Sequence, residues 1–194
     1  MLSLEESLKI LKETNALLEG HFILSSGLHS PQYVQCAQLM SKPKAAFKIC
    51  SSLSEKIKKE FKEFDLILSP AMGGIIVGYE IGRILNKETI FSERVNGEFK
   101  LRRDFTINKN QKVLIIEDVI TTGKSTNECL EKLNQMNINL LGIATIVDRS
   151  NEVLFDNFQI ISLLKIDIPV YDSDNLPDDL EKIKPIKPGS RIIQ

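Results

Sequence analysis

Residues 113–116 form an unbroken apolar run, Val-Leu-Ile-Ile, and this run constrains the fold more than any other stretch of the chain. Consecutive strand-forming apolar residues are typical of a strand covered on both faces, as in a parallel sheet with helices on each side. Glu117 and Asp118 follow at the carboxyl end of the run. Because open α/β sheets bind ligands beyond the carboxyl ends of their strands, we predict an α/β fold with this acidic pair in its functional site.

A segment of small and hydroxyl residues, Thr-Thr-Gly-Lys-Ser at 121–125, precedes an amphipathic helix predicted at 127–136. The first N–H groups of a helix lack internal partners and, with the helix dipole, they attract anions. An ordinary turn and helix cap would have the same composition, so this segment alone is weak evidence. Together with the acids before it, the segment predicts a site for a ligand that carries hydroxyl groups at one end and a phosphate at the other.

The tripeptide Gly123-Lys124-Ser125 also matches the end of the Walker A loop of nucleotide-binding proteins, G-x-x-x-x-G-K-[ST]. The first glycine of that motif would fall at position 118, which is Asp118. A carboxylate there would repel the triphosphate that such a loop wraps, so we reject this interpretation. A ribose 5-phosphate fits better, because its vicinal hydroxyls can face the acids while its phosphate meets the amides.

The strand, the two acids and the T-x-G-x-[ST] loop together resemble the donor site of the type I phosphoribosyltransferases. The resemblance implies an α/β fold with a parallel sheet flanked by helices and a small N-terminal hood. It also implies that Glu117 and Asp118 face the ribose hydroxyls of 5-phosphoribosyl 1-diphosphate. The residues implied for the 5-phosphate are Val119, Ile120, Thr121, Thr122, Gly123, Lys124 and Ser125.

A second resemblance lies in residues 20–37, GHFILSSGLHSPQYVQCA, where two strand-like runs flank a Ser/Gly/Pro segment. The local pattern predicts a hairpin-like unit or simply a turn. The segment is similar to the hood of the orotate phosphoribosyltransferases, in which S-G, S-P and an aromatic residue close over the pyrimidine. This similarity implies that Ser26, Gly27 and Thr121 contact orotate.

Other elements are predicted from periodicity and from capping residues. A first helix begins at a capping box formed by Ser3 and Glu6, and its leucine stripe extends to Gly20. We expect His21 and His29 to be surface or loop residues and not metal ligands, because neither has a nearby cysteine or a helical partner. The remaining predictions are helices from Pro43, at 75–85 and at 177–183, and strands at 66–68, 89–93, 140–147 and 160–166.

The length and composition are those of one globular domain of 194 residues. We divide it into an N-terminal helix and hood (1–40), an α/β core (41–170) and a C-terminal tail (171–194). A net charge of −1 gives no reason to expect nucleic acid or a membrane as a partner. Three widely spaced cysteines and the absence of a signal peptide or membrane span favour a cytoplasmic protein without disulfides or a zinc site.

Residues 94–104 carry four cations around Asn96-Gly97, a two-residue turn signal for a β-hairpin. By composition alone the segment is an exposed hairpin with solvated charges. The resemblance implies instead a mobile loop that reaches the active site of the neighbouring subunit in a homodimer and neutralises the leaving pyrophosphate. On that basis Arg94, Lys100 and Arg102 are the candidate catalytic cations.

Two further sites follow other predicted strands. Met72 and Gly73 lie in the loop after strand 66–68, which contacts pyrophosphate in the family. Arg149 follows strand 140–147, and the resemblance implies that its guanidinium binds the carboxylate of orotate. Many family members have a lysine at the position of Ser25 and another where this chain has Met72-Gly73. Because this chain lacks both lysines, we expect the cations of 94–104 to supply more of the positive charge that the diphosphate needs.

The resemblance implies that the chain transfers a phosphoribosyl group to orotate and releases pyrophosphate, in pyrimidine nucleotide synthesis. It implies Mg²⁺ bound through the substrate, with Asp118 as a catalytic residue near the metal. A purine phosphoribosyltransferase is an alternative that would share residues 117–125 without requiring the hood or Arg149. A second alternative is a non-catalytic protein that senses the donor. Such proteins append a nucleic-acid-binding module, and we find no basic patch that would indicate one.

We expect Lys100→Ala to lower kcat by roughly two orders of magnitude without disturbing the fold, because it removes one cation from the leaving pyrophosphate. Steady-state kinetics and far-UV circular dichroism check this. Near-normal turnover of the variant would remove Lys100 from the mechanism.

Overall fold

The structure is a computed structural model that describes residues 1–24, 26–121, 123–150 and 158–188, with only the backbone described for Lys124 and Ser125. The helices are α1 (Leu4–Glu13), α2 (Cys36–Met40), α3 (Pro43–Glu60), α4 (Gly73–Leu85), α5 (Lys124–Gln135) and α6 (Asp178–Glu181). The strands are β1 (Leu17–Ile23), β2 (His29–Val34), β3 (Leu66–Pro70), β4 (Glu88–Val95), β5 (Glu98–Leu101), β6 (Lys112–Ile120), β7 (Asn139–Asp148) and β8 (Gln159–Lys165). None of the helices within these ranges combines the length and apolarity needed to cross a bilayer.

Six strands form the central sheet in the order β5-β4-β3-β6-β7-β8. Neighbouring strands are parallel except β4 and β5, which form an antiparallel hairpin at one edge. Asn96 and Gly97 close this hairpin with φ of 52° and 86°, as a two-residue turn requires. The predicted α/β fold and the predicted hairpin are both confirmed.

The strand order reverses between β3 and β6. The chain leaves β3 through α4 toward β4 on one side, and it leaves β6 through α5 toward β7 on the other. The helices α4 and α5 pack on opposite faces of the sheet. A crevice opens beyond the carboxyl ends of two strands at such a reversal, so the segments after Pro70 and after Ile120 border one crevice.

The central strands β3 and β6 are buried on both faces, as the apolar run predicted. Ile67 and Leu114 pack in the core that includes α3 and α4, whereas Leu68 and Ile115 pack in the core that includes α5. All four side chains are fully buried, and each such burial stabilises the fold by about 1.5–3 kcal/mol. The ends of these strands are therefore held in place by two cores.

A separate two-stranded antiparallel sheet, β1 with β2, forms the hood. The C-terminal segment extends it on both sides, because Tyr171 pairs with His29 and Ile186 pairs with Phe22. The N–H of His29 donates to the carbonyl of Tyr171 at 2.8 Å, and the N–H of Tyr171 donates back at 2.9 Å. The hairpin-like unit is confirmed, and the structure adds a C-terminal clamp that the sequence did not predict.

The first helix is shorter than predicted, and its extension to Gly20 is wrong. It ends at Glu13, and Asn15 then adopts a left-handed φ of 57°, which turns the chain. Leu17 and Leu18 belong to the first strand of the hood. Leucines at these spacings fit a strand as well as a helix stripe, so periodicity alone could not separate the two.

The prediction that both histidines are surface or loop residues is also wrong. His21 is 2% exposed within β1, and its Nδ1–H donates to the carbonyl of Ile183 at 2.8 Å. Because a carbonyl can only accept, Nδ1 carries the proton and Nε2 accepts from Nδ1–H of His29 at 2.6 Å. The pair therefore joins the hood to the C-terminal segment.

We expect His21→Ala to lower the free energy of unfolding by about 1–3 kcal/mol, because it leaves the carbonyl of Ile183 and a ring nitrogen of His29 without their partner. Urea denaturation followed by circular dichroism measures this. Lys9→Ala, on the exposed side of α1, is the control and should have little effect. Equal losses for the two variants would contradict a clamping role of His21.

Candidate active site

The acidic pair lies near the end of β6 and packs against the first turn of α4. Glu117 is 6% exposed. A Cβ added at Gly73 would lie 2.5 Å from Oδ2 of Asp118, and one at Gly74 would lie 2.9 Å from the carbonyl of Ile116. A larger residue at Gly73 would displace the carboxylate of Asp118, and one at Gly74 would press on the backbone of β6. The structure thus brings together Gly73 and both acids, which the sequence had placed in one site.

The main chain at Asp118 is held by hydrogen bonds from two other elements. The hydroxyl of Thr145 on β7 donates to the Asp118 carbonyl at 3.1 Å. The thiol of Cys36, at the start of α2, donates to the same carbonyl at 3.7 Å. The position of the acid is therefore set by the sheet and by the helix that follows the hood.

Burial raises the pKa of both acids. Burial and the charge of Asp118 raise the pKa of Glu117 to about 8. Burial also raises the pKa of Asp118, while a hydrogen bond from the N–H of Val119 lowers it. Two adjacent carboxylates so placed gain stability from hydroxyl donors or a cation, and a ribose with a bound metal ion supplies both.

The predicted anion-binding segment forms a tight turn into α5. Gly123 is the N-cap residue with φ of 68°, and the helix begins at Lys124, three residues earlier than predicted. Thr121 is exposed in the turn. Thr122 and the side chains of Lys124 and Ser125 lie outside the described residues, so their predicted roles in phosphate binding stay predictions.

Val119 and Ile120 differ from the other residues predicted for the phosphate. Ile120 is 1% exposed in the core that includes α5, and Val119 packs against the core on the opposite face. The side chains of both residues therefore contribute to the fold, and only their backbone can serve a ligand at this end of β6. The carbonyl of Ile120 already accepts the N–H of Arg149 at 2.8 Å.

Arg149 follows the neighbouring strand, β7, and reaches the same edge of the sheet. Its Nε is buried and has no hydrogen-bond partner within the described part of the chain. Burial lowers the pKa of Arg149. Asp148 and Ser150 fix the turn around it, because the N–H and hydroxyl of Ser150 donate to Oδ1 of Asp148 at 2.8 and 2.6 Å. A partly buried guanidinium whose Nε–H is unpaired among the described residues is a candidate site for an anionic ligand.

Tyr33 of β2 is a further candidate site residue, which the sequence-based candidates omitted. Burial and the charge of Asp118 raise the pKa of Tyr33, and the charge of Arg149 opposes that rise. The hood thus places a phenol ring near both Asp118 and Arg149. The aromatic residue after Ser-Pro in the hood resemblance was the signal that could have identified it.

Ser26 and Gly27 lie at the tip of the hood hairpin, and both are exposed. Gly27 has φ of 89°, and its N–H donates to the carbonyl of Leu24 at 3.0 Å. Ser25, where many family members have lysine, lies outside the described residues. The described contacts of Ser26 and Gly27 stay within the turn, so a role in binding orotate remains a prediction.

The candidate cations are all engaged by carboxylates of the same chain. Lys100 lies 3.5 Å from Glu98, Arg102 lies 3.5 Å from Glu93, and Arg94 pairs with Glu128.

Met72 is 81% exposed at the N-cap of α4, after a cis peptide bond at Ala71–Met72. The structure places Met72 beside Gly73 and the acids, whereas the three cations lie on or beside the β4–β5 hairpin.

Comparison with known proteins identifies the family. Residues 37–180 match the model of the phosphoribosyl transferase domain. The chain is also 43% identical over 190 residues to an orotate phosphoribosyltransferase of Parvibaculum lavamentivorans, covering 97% of this chain and 98% of that protein. The chain belongs to the orotate phosphoribosyltransferase family.

Solved structures of other phosphoribosyltransferases have the same fold as this member of the orotate phosphoribosyltransferase family. The crystal structure of orotate phosphoribosyltransferase from Aeropyrum pernix matches with a TM-score of 0.71 at 22% identity, over 81% of this chain and 92% of that one. Adenine phosphoribosyltransferase from Thermoanaerobacter pseudethanolicus matches with a TM-score of 0.61 at 17% identity, over 70% and 88%. The fold is therefore common to enzymes for different bases, and the choice of base depends on side chains in the site.

We expect the ligand-free protein to lose stability as the pH rises from about 5 to 8, because Glu117 binds its proton more tightly in the folded than in the unfolded chain. The contribution of one such group is at most about 1.4 kcal/mol per pH unit. Glu117→Gln should flatten this dependence. Urea denaturation at four pH values measures it, and parallel curves for the two proteins would contradict the raised pKa.

Proposed function

We propose that the chain transfers the 5-phosphoribosyl group of 5-phosphoribosyl 1-diphosphate to orotate, forming orotidine 5'-phosphate and pyrophosphate in pyrimidine nucleotide synthesis. The observation that carries this proposal is the partly buried guanidinium of Arg149. Its Nε is buried with no partner within the described residues, and the charges of Arg149 and Asp118 both act on the phenol of Tyr33. A planar anion that carries a carboxylate can pair with this guanidinium and lie against the phenol ring.

The donor would bind at the ends of β3 and β6. Glu117 and Asp118 would accept hydrogen bonds from the ribose 2- and 3-hydroxyls. The turn that ends in Gly123 would bind the 5-phosphate through its N–H groups, with the positive end of the α5 dipole behind it. Met72 and Gly73 would bind the diphosphate through their backbone, because Met72 has no cationic side chain to offer.

The acceptor would bind between the hood and the end of β7. Arg149 would pair with the carboxylate of orotate, and Tyr33 would contact the face of its ring. Ser26 and Gly27 in the hood and Thr121 in the phosphate turn would close the site around the base. Orotate would then lie on the side of Asp118 where its ring nitrogen can approach the anomeric carbon of the ribose.

In the reaction the bond between the anomeric carbon and the diphosphate oxygen breaks, and a bond from that carbon to the orotate nitrogen forms. The electron pair of the broken bond leaves with pyrophosphate. The charge of orotate is on its carboxylate, so the attacking ring nitrogen loses its N–H proton as the new bond forms, and an oxygen of the departing pyrophosphate can accept that proton. Catalysis then comes from positioning the reactants, from Asp118 near the developing positive charge of the ribose, and from Lys100, Arg94 and Arg102 against the leaving pyrophosphate.

The acidic pair fits a Mg²⁺ ion that arrives with the donor. Within the described residues no group of three or more metal-ligating side chains occurs, so the chain has no cage of its own in that part. Mg²⁺ keeps waters and substrate oxygens as most of its ligands, and one or two carboxylates suffice. Asp118 and Glu117 are the residues that would hold it. The ion would neutralise charge on the diphosphate.

We also propose that one domain, 1–194, acts as a cytoplasmic homodimer in which the cationic hairpin is shared across subunits. The exposed face of α4 supports a dimer, because Ile76 and Tyr79 are 55% and 65% exposed and Phe47 of α3 is also exposed. Exposed apolar side chains that cluster on a surface favour association. Three free, buried cysteines are consistent with a reducing compartment.

We expect the protein to consume orotate in the presence of Mg²⁺ and the donor. We also expect Arg149→Lys to raise KM for orotate by roughly 10- to 100-fold, because lysine cannot make the paired hydrogen bonds of a guanidinium. KM for the donor should change little. The control is Lys9→Ala, on the exposed side of α1, which should leave both KM values unchanged. Turnover of adenine or hypoxanthine without loss of orotate absorbance would overturn the proposed function.

A further inference from the structure

Every cation of the segment 94–104 pairs with a carboxylate of the same chain. Most of these pairs stay within β4, β5 and the residues that follow, whereas one joins two distant elements, Arg94 of β4 and Glu128 of α5. The pairs are Arg94–Glu128, Lys100–Glu98 (3.5 Å), Arg102–Glu93 (3.5 Å) and Arg103–Glu93 (2.6 Å). The mechanism above uses these cations and leaves their partners unexplained.

The guanidinium of Arg94 is held by three contacts at once. Its Nη1 donates to the carbonyl of Gly97 at 2.8 Å, and its Nη2 donates to the carboxylate of Glu128. Its central carbon lies 4.5 Å from the centre of the ring of Phe99, the residue directly opposite on β5. Both terminal nitrogens are therefore engaged, and the stacking contact fixes the plane of the group.

This arrangement conflicts with the role proposed for Arg94. A guanidinium recognises a phosphate best when two parallel N–H groups point at it, and a carboxylate already accepts from one of the terminal nitrogens. A diphosphate carries more negative charge than one carboxylate, so it can replace Glu128 as the partner. The side chains of Arg94 and Glu128 are 34% and 31% exposed, so the pair is accessible for such an exchange.

We propose that Glu128 is a positioning residue that holds Arg94 in the donor-free enzyme and competes with the diphosphate for its guanidinium. This inference rests on the proposed function, in which Arg94 binds the diphosphate. It holds whether Arg94 serves its own site or that of a neighbouring subunit, because one guanidinium cannot make both sets of contacts. Glu128 lies in the second turn of α5, the helix that starts at the predicted 5-phosphate site, so donor binding and release of Arg94 involve the same helix.

The test is the affinity of the full chain for inorganic pyrophosphate with Mg²⁺, measured by titration calorimetry without orotate. Glu128→Gln removes the competing charge and should tighten binding by about threefold, which is the scale of a partly exposed ion pair. Glu128→Asp keeps the charge and should bind close to the wild-type protein. Glu131→Gln removes the same charge from an exposed position of the same helix and should change nothing.

Two further readouts separate this role from a merely structural one. In steady-state assays Glu128→Gln should lower KM for the donor by the same factor without raising kcat, whereas loss of a structural tie would raise KM. In the Arg94→Ala background the substitution at Glu128 should have no effect on pyrophosphate affinity. Glu128→Ala provides a second test if the glutamine variant is poorly folded, and it should shift the affinity in the same direction.

Weaker or unchanged pyrophosphate binding by Glu128→Gln would overturn the inference, and so would an effect that persists in the Arg94→Ala background. The proposed function fails in a different way. If the wild-type chain does not consume orotate but its pyrophosphate affinity responds to Glu128→Gln as expected, the acceptor assignment is wrong and the role of Glu128 stands.

Discussion

The contact between the first turn of α4 and the carboxylates at the end of β6 is the constraint on which the site depends. The reversal of strand order between β3 and β6 brings these two segments to one crevice, and glycine at 73 and 74 lets them touch. Burial raises the pKa of both acids. Two adjacent acids held in this way lower stability in the ligand-free state, and the ribose and Mg²⁺ of the proposed function would offset that cost.

Charged groups on the two sides of this acidic pair are arranged differently. Toward β7 and the hood, Arg149 is partly buried, and its Nε is buried with no partner in the described part of the chain. Toward the β4–β5 hairpin, the cations are exposed and neutralised by nearby carboxylates. A partly buried guanidinium with an unpaired N–H is prepared for one anion, which in the proposed function is the base. Paired surface cations can exchange one anionic partner for another, as the proposed binding and release of the diphosphate requires.

The hood depends on residues that are remote in sequence. His21 donates to the carbonyl of Ile183, and His29 pairs with Tyr171, so the C-terminal segment clamps the sheet that carries Tyr33. A two-stranded hairpin has little stability alone, and the clamp supplies further strand partners. The base-binding side of the site therefore depends on a segment far from it along the chain, whereas the donor side is built almost entirely from one strand and the turn after it.

The sequence by itself determined the sheet, the location of the acidic pair and the hairpin at 96–97, because each depends on local signals: an apolar run, the residues that directly follow it, and a turn that only a few residue pairs can form. Asp118 alone sufficed to reject a Walker A loop. Only the tertiary structure decided that Leu17 lies in a strand, that His21 is buried, that Tyr33 lies near Arg149, and that Arg94 is held by Glu128. Each of these four features depends on a partner that is distant in sequence. Local periodicity and capping residues do not reveal such contacts, because the residues meet only when the chain packs.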